Sequence, residues 1–353
     1  MKPAHLLDEQ SRSIAIVIVN YRTPELVADC LKTILVERDS LPELTVMVVD
    51  GGSGDGSAEK IEASLNDPVF ANWVTFLPLD INGGFGWANN QAILRLLRQE
   101  NPPAFIHLLN PDSRIEPGAI AALRDAMIAH PRCAVAGSQL INPDLSLAGS
   151  AFRFPTAARE LVSGARIHRV GVLLGIAPTL IQSERIVPAD WVTGASCMVR
   201  TAALAETGLF DHGFFLYFEE VELMYRLKRA GWDILHVPDS RVIHIGGAAT
   251  GVRDGKSVAA PTKPDYWFRS RRRFHALAYG RRMTAIAGVA WLVGDMFWRL
   301  RTILKLSSRS ETDLAERRSL LRAGILADAD DIRPQIATAK DALDQRPAWM
   351  PPN

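Results

Sequence analysis

The chain has only three cysteines in 353 residues, Cys30, Cys133 and Cys197, far apart and odd in number. Such a set excludes a disulfide framework and a cysteine-ligated zinc module, and it suits a reducing compartment. No stretch reaches the ~18 apolar residues of a transmembrane helix, and no apolar signal region precedes residue 14. Net charge is only +1, so bulk charge does not hold this chain on nucleic acid. The G-x-x-x-x-G-K-[ST] phosphate cradle is missing. Glycine does cluster at Gly51–Gly56, but a dinucleotide fingerprint needs G-x-G-x-x-G directly after the first strand, and no glycine follows that strand. There is no internal repeat. These absences leave a cytoplasmic protein without a secretory signal, and its 48% hydrophobic content can bury a sizeable core.

What is present alternates. Ile14–Val19 is an unbroken, mostly β-branched apolar run, as expected of a strand buried on both faces of a parallel sheet. Thr23 is placed as an N-cap with Pro24 at the first helical position, and Leu26, Val27, Cys30, Leu31 and Ile34 recur at helical spacing. Further strands are expected at 44–49, 74–77, 105–109 and 134–136. Helices are expected at 58–65, 87–98 and 117–129. This order predicts βαβ units and a parallel sheet. Residues 140–190 are irregular, with hairpin strands. A strand follows at 191–200, then a helix over 219–230 stopped by Gly231, and short strands at 234–237 and 242–244. Residues 246–262, rich in Gly, Ala and Thr, form a mobile loop.

The polar residues fall at the strand ends. Phe105–Leu109 ends in Asn110-Pro111-Asp112, where Pro111 stops ladder pairing. Asn-Pro-Asp alone is also good turn chemistry. Asn20 and Asp50 end two more strands, however, and the loop Asn82-Gly83-Gly84-Phe85-Gly86 follows a third. Four polar tips on the carboxyl edge of an open α/β sheet make a ligand site, where a carboxylate can hold a divalent cation and, through it, a diphosphate. The second informative segment is Phe214-Phe215-Leu216-Tyr217-Phe218-Glu219-Glu220-Val221-Glu222. Acids at a helix start suit the helix dipole, and Glu222 faces Arg226 for a surface pair. Glu220 instead shares a face with Leu223 and Leu227. A carboxylate against an apolar wall has its pKa raised, which suits a general base.

Taken together, Val17–Tyr21, Val48-Val49-Asp50, Asn82–Asn90, Leu109–Asp112, Gly194-Ala195 and Phe214–Glu220 resemble the family-2 glycosyltransferases over residues 14–247. Asn-Pro-Asp, with Tyr266-Trp267-Phe268-Arg269-Ser270-Arg271-Arg272, is similar to the bacterial rhamnosyltransferase subgroup. The resemblance implies a GT-A fold, a mainly parallel sheet flanked by helices. It divides the chain into a transferase domain over 1–247 (nucleotide part 12–136, acceptor part 137–247) and a helical extension over 248–353. It implies an inverting hexosyltransferase of polysaccharide synthesis that uses a nucleotide sugar, dTDP-L-rhamnose, and a lipid-linked saccharide acceptor. Asn20, Tyr21, Asp50, Asn82, Gly83, Phe85, Asn89, Asn90, Asn110 and Asp112 would line the nucleotide site, with Asp50 on the base. Asp112, and His244 if it is more than a strand-end histidine, would hold Mg²⁺ or Mn²⁺. Glu220 would be the base, in place of the family's usual Asp. Trp191, Gly194, Ala195 and Glu219 would face the acceptor. A UDP- or GDP-sugar donor on the same fold, and a nucleotide-sugar-binding scaffold without turnover, are the alternatives.

Residues 283–305 read as an amphipathic helix with Ile286, Val289, Val293, Phe297, Leu300 and Leu304 on one face. Preceded by the arginines at 269–282, it suits an anionic membrane surface at the inner face of the cell membrane, through 269–305. Packing on the protein's own core, or on another subunit of a homo-oligomer, is the alternative. Residues 310–345 are charged with helical tendency, and the tail Pro347-Ala348-Trp349-Met350-Pro351-Pro352 is expected to be disordered.

Overall fold

The computed structural model describes residues 13–246, 263–306, 317–325, 332–347 and 349–350. The expected mobile loop lies almost wholly outside these residues. β1 (Ile14–Asn20) alternates between two cores. Ile14, Ile16 and Ile18 face one side of the sheet, and Ala15 and Val17 face the other. That double burial is why its sequence is continuously apolar. α1 (Pro24–Glu37) follows, with Thr23 at its N-cap position. The Thr23 hydroxyl does not cap the helix but donates to Asn20 Oδ1 at 3.0 Å. β2 (Thr45–Asp50), α2 (Ser57–Leu65), β3 (Val74–Pro78), α3 (Phe85–Leu97) and β4 (Phe105–Leu109) complete the expected alternation.

β1 to β4 are parallel and run β3-β2-β1-β4, with Asn20 beside Asp50 at the carboxyl edge. α1, α2 and α4 (Ala119–Ala129) cover one face of the sheet. The other is covered by α3, α7 (Thr201–Thr207) and α8 (Glu219–Arg229).

The sheet then departs from a simple parallel reading. β5 (Ser113–Ile115), which was not expected, forms its far edge. β6 (Cys133–Ile141) is longer than expected. The expected strand over 191–200 is divided. β10 (Trp191–Val192) joins a small sheet with β7 (Ala151–Phe152) and β8 (Leu180–Ile181). β11 (Ser196–Arg200) runs antiparallel between β4 and β6. Thr193-Gly194-Ala195 bridges the two and passes over the tip of β4, where Asn110 N donates to Ala195 O at 2.9 Å. β9 (Val187–Pro188) pairs with β12 (Asp233–His244). β12 is one strand with an irregularity between Val237 and Arg241, not two separate strands. The irregular region also holds α5 (Ala157–Ala165) and α6 (His168–Leu173), neither of them expected.

α9 (Asp265–Ile303) is much longer than the expected helix and breaks direction at Gly280, which has φ 84°. Its first half is bound into the body. Arg271 pairs with Glu160 at 2.8 Å, and Arg273 pairs with the fully buried Asp211 at 2.7 Å. Arg271, Arg272 and Arg273 are all buried, so three cations of the expected membrane-facing cluster do not reach the surface. The Glu222–Arg226 pair, expected on the surface, is also largely buried. In its second half α9 lies against α5 at a crossing of small residues. A Cβ on Gly294 would stand 2.4 Å from Leu161 O, and one on Gly164 would stand 2.4 Å from Trp291 O. The opposite face keeps the expected stripe open to solvent, with Ile286, Val289, Val293, Phe297, Leu300 and Leu304 all about half exposed. Among the described residues no helix is long and apolar enough to cross a membrane.

The described residues near the carboxyl terminus are tied to the body. Trp349 Nε1 donates to His212 O at 2.8 Å, and Trp87 Nε1 donates to Gln345 O at 2.8 Å. Residues 332–347 are irregular rather than helical. Asp211 fixes them in place by accepting from Gln335 N at 3.0 Å as well as from Arg273. Arg273→Met leaves that carboxylate buried without its counter-charge. It is expected to cost about 3–5 kcal/mol of unfolding free energy in a urea titration. A loss below about 1 kcal/mol, the scale of an exposed pair, would contradict an anchoring role.

Candidate active site

A cavity of about 620 Å³ opens at the carboxyl ends of β1, β2 and β4. Of the residues expected at the site, Tyr21, Asn82, Phe85, Asn110, Asp112, Gly194, Ala195, Glu219, Glu220 and His244 line it. Asp112 is 7% exposed. Its Oδ1 lies 3.1 Å from His244 Nε2, and its Oδ2 accepts from Gly246 N at 3.0 Å. Burial opposes ionisation of this carboxyl, but His244 and the Gly246 N–H outweigh burial and hold it below the ordinary carboxylate range. Asn110 Nδ2 is 3.3 Å from the same imidazole nitrogen. The β12–β5 pairing, with His244 beside Ser113, brings this histidine to Asp112 across more than a hundred residues of chain.

No group of three or more His, Cys, Asp or Glu gathers as a metal cage among the described residues. Asp112 and His244 supply one oxygen and one nitrogen donor, a pair that Mn²⁺ or Mg²⁺ can accept when phosphate oxygens and water complete the shell. The residues present therefore fit a cation that is shared with a phosphorylated ligand. They do not fit one held by protein alone.

The remaining expected residues stand behind the cavity wall. Asp50 is buried and accepts from Asn20 Nδ2 at 2.8 Å, Ser53 Oγ at 2.7 Å and Ser53 N at 3.0 Å. It thereby shapes the turn that brings Gly51 to the cavity wall. Asn90 is fully buried, and its amide exchanges both hydrogen bonds with the Phe210 backbone. Asn89 donates to Phe85 O at 2.9 Å, inside its own helix. Gly83 exists for packing, since a Cβ there would meet the Trp87 ring at 2.4 Å. Trp191 lines a neighbouring cavity.

Opposite Asp112 stands the start of α8. Tyr217 and Phe218 both have φ 68°, a left-handed conformation that bulky side chains rarely adopt. Two such residues in succession tighten the turn that delivers Glu219 and Glu220. The turn is clamped by Gly84, where a Cβ would collide with Phe215 O at 1.9 Å, and by the bond from Phe85 N to Phe215 O at 3.1 Å. The Asn82–Asn90 loop and the acidic helix start, far apart in sequence, are thereby a single construction.

Burial raises the Glu220 carboxyl to about 7, although neighbouring backbone N–H groups favour its charge. Burial, and then the charge of Glu220, raise Glu219 well above its ordinary value. Neither Glu219 Oε2 nor Glu220 Oε2 has a hydrogen-bond partner among the described residues. Both line the cavity; Glu219 packs against Gly86 and is 3% exposed, and Glu220 is the less buried of the two. Tyr217 and Tyr266 also line the cavity, their rings stacked 6.1 Å apart. Sequence reasoning did not select them, although both lie in segments that it marked.

This architecture is the GT-A fold, a nucleotide-sugar transferase sheet with its ligand edge at β1, β2 and β4. Residues 11–275 match the model for the glycosyltransferase like family 2, and the chain belongs to that family. It is 29% identical over 291 residues to the N-acetylglucosaminyl-diphospho-decaprenol L-rhamnosyltransferase of Mycobacterium tuberculosis, covering 79% of this chain and 87% of that protein. Among solved structures it resembles the mannosyltransferase PcManGT from Pyrobaculum calidifontis, in complex with GDP-Man and Mn²⁺, with a TM-score of 0.50 and 14% identity over 86% of this chain and 77% of that one. It also resembles GalNAc-T7 with UDP, GalNAc and Mn²⁺, with a TM-score of 0.52 and 14% identity over 84% of this chain and 55% of that one.

A carboxyl with a raised folded pKa keeps its proton where the unfolded chain has already lost it. Stability therefore falls as pH climbs from the ordinary carboxylate range toward the raised value. Glu219→Gln removes this penalty. It is expected to add on the order of 1 kcal/mol or more at about pH 8 and little at about pH 4. Denaturant unfolding at both pH values checks this, and an equal change at both would show that Glu219 ionises normally.

Proposed function

We propose that the protein is an inverting hexosyltransferase that moves L-rhamnose from dTDP-L-rhamnose to a hydroxyl of a lipid-linked saccharide. The observation that carries the reading is the facing arrangement in one cavity of the Asp112–His244 pair and of Glu220, a carboxyl poised near neutrality. The rhamnosyl donor and the lipid-linked acceptor are supported by the kinship with the mycobacterial rhamnosyltransferase.

In this reading Asp112 and His244 receive the donor's diphosphate together with a divalent cation, which supplies charge neutralisation for the leaving group. Asn110 orients His244. Tyr21, Gly51 and the Asn82 loop form the nucleoside wall, and Asp50 and Asn20 fix that wall from behind. Glu220 takes the proton of the acceptor hydroxyl as its oxygen attacks the anomeric carbon from the face opposite the departing diphosphate. A single displacement inverts the configuration. A base with a pKa near 7 is half ionised near neutral pH, the best compromise between availability and proton affinity. Glu219 stays protonated beside it and spares the site a second negative charge.

Glu220→Gln is expected to lower kcat by about 10²–10⁴-fold while leaving calorimetric binding of dTDP-rhamnose with Mn²⁺ unchanged. In the unaltered enzyme kcat/KM should rise with pH and level off above about 7. Undiminished turnover in the variant would remove Glu220 from the mechanism. Binding of a UDP- or GDP-sugar instead would replace the donor, and no nucleotide sugar bound at all would favour the scaffold.

The exposed stripe of α9 supports peripheral attachment to a membrane, where a lipid-linked acceptor resides. Arg269 and Arg282 are exposed on α9, where anionic headgroups can reach them. The double variant Val293→Glu, Phe297→Glu is expected to lose flotation with anionic liposomes without loss of folding. Unchanged flotation would leave the stripe to a protein partner.

A further inference from the structure

The segment over 335–347, together with Trp349, lies outside the region that matches the family model. It is nevertheless bound to both parts of the chain that build the active-site turn. It runs first along the residues that lead into that turn. Leu209 N donates to Ala337 O at 2.8 Å, Ala337 N to Phe210 O at 3.3 Å, and His212 N to Gln335 O at 2.9 Å. Ile336 pairs antiparallel with Asp211, and Ala337 is buried in the core of the sheet. The segment then crosses to α3. Asp344 N donates to Gln91 Oε1 at 2.7 Å, the Asp344 carboxylate pairs with Arg95 at 2.9 Å, and Gln345 O accepts from Trp87 Nε1 at 2.8 Å. The chain comes back with Trp349, whose Nε1 donates to His212 O at 2.8 Å.

α3 begins beside Gly84, and residues 209–212 lead to Phe215, so the segment ties together the two parts whose contact builds the site. Trp349 reaches that contact directly. Its ring stands 5.6 Å from the Phe215 ring at 85°, and the Phe215 ring stands 5.6 Å from that of Tyr266 at 76°. Phe215 is thus held by two near-perpendicular ring contacts, the geometry that aromatic quadrupoles favour. Tyr266 stacks in turn on Tyr217, one of the two residues with positive φ immediately before Glu219. A turn in that conformation keeps its shape only while its surroundings hold it. Trp349 itself is 41% exposed, so little of the core depends on it.

We propose that this segment sets the position of the base, and that Trp349 is a positioning residue for the transfer, acting on Glu220 through Phe215. The inference rests on the proposed transferase reading and adds to it a part of the machinery supplied from the carboxyl-terminal extension. The line of contact is short. Trp349 fixes the Phe215 ring, Phe215 O closes on Gly84 and accepts from Phe85 N, and the turn after Phe215 delivers Glu220. Without the indole, one side of the Phe215 ring opens to water, the turn relaxes, and Glu220 drifts from its place opposite Asp112. Tyr21 and Gly51 of the nucleoside wall stand on other elements, just past the ends of β1 and β2, so nucleotide binding is spared.

The test compares Trp349→Ala and Trp349→Phe with the unaltered full-length chain in two measurements. The first is hydrogen–deuterium exchange without ligand. Trp349→Ala should speed exchange about tenfold at the Phe85 and Glu222 amides, which donate to Phe215 O and Phe218 O, and leave β1 unchanged. The second is turnover, read as dTDP released from dTDP-rhamnose with Mn²⁺ and a geranyl-diphosphate-linked N-acetylglucosamine as the probe acceptor. In Trp349→Ala kcat should fall about tenfold or more, while calorimetric affinity for dTDP stays the same. Trp349→Phe keeps an aromatic ring without the N–H and should recover most of the lost kcat. Wild-type exchange at both amides, acceleration spread equally over β1, unchanged kcat, weakened dTDP binding, or no recovery in Trp349→Phe would each overturn the positioning role and leave Glu220 as the base. No turnover by the unaltered enzyme would instead overturn the rhamnosyl reading on which the proposal rests, an outcome that the exchange measurement does not depend on.

Discussion

The site depends on one backbone contact, the approach of Gly84 to Phe215. The loop from Asn82 follows a strand of the parallel sheet, and the segment from Phe214 precedes α8. A side chain at position 84 would sit on the Phe215 carbonyl, so only glycine lets the two meet. Their meeting forces the next residues into a tight turn, and Tyr217 and Phe218 absorb it with positive φ. Such strain persists only where surrounding structure over-determines it. Here the determinants are the Gly84 contact, the Tyr217–Tyr266 stack and the bond from Ser270 Oγ to Leu216 O. The product of the strain is the position of two adjacent carboxyls at a helix start, desolvated on one side and open to the cavity on the other.

Desolvation then separates the two acids. Glu219 is enclosed against α3, and Glu220 stands at the junction of two cavities. Two like charges so close do not both ionise readily. Burial raises both carboxyls above the ordinary range, Glu220 to about 7. Asp112 shows the opposite outcome on the facing wall, where His244 and a backbone N–H overcome burial and keep the carboxyl charged. One cavity thus pairs a carboxylate held charged with a carboxyl able to exchange a proton. The proposed transfer uses that division, with phosphate bound at one wall and a hydroxyl deprotonated at the other.

The sequence revealed the parallel half of the sheet because each strand there is buried on both faces and is apolar throughout. It revealed the tips because polar residues end those runs abruptly. It revealed a strand over 191–200 but not that β11 runs antiparallel, since an antiparallel strand between two parallel neighbours has the same apolar pattern, and only pairing partners distinguish it. Ser113–Ile115 is too short for any period. The roles of Asn89 and Asn90 were misleading locally, because an asparagine beside a glycine loop reads the same whether it faces a ligand or, like Asn90, ties down Phe210. The arginines of 271–273 failed for a related reason. Charge in a sequence suggests solvent, and the partners that bury these cations, Glu160 and Asp211, lie 111 and 62 residues away.

Those buried arginines change the meaning of the carboxyl-terminal extension. An appended membrane anchor would leave the catalytic body intact without it. Here α9 supplies Tyr266 to the main cavity, Trp267 and Arg271 to the neighbouring one, and Arg273 to the carboxylate that also holds Gln335. The same helix, past Gly280, turns an apolar face outward while Gly294 presses its other face onto α5. A helix apolar on both sides is costly in water, because the outer stripe gains nothing from the fold. Its retention on an element that also walls the site is accounted for if surface attachment and catalysis share one substrate. A lipid-borne acceptor would meet the apolar face and the base in one binding event, and α9 is the element that joins them.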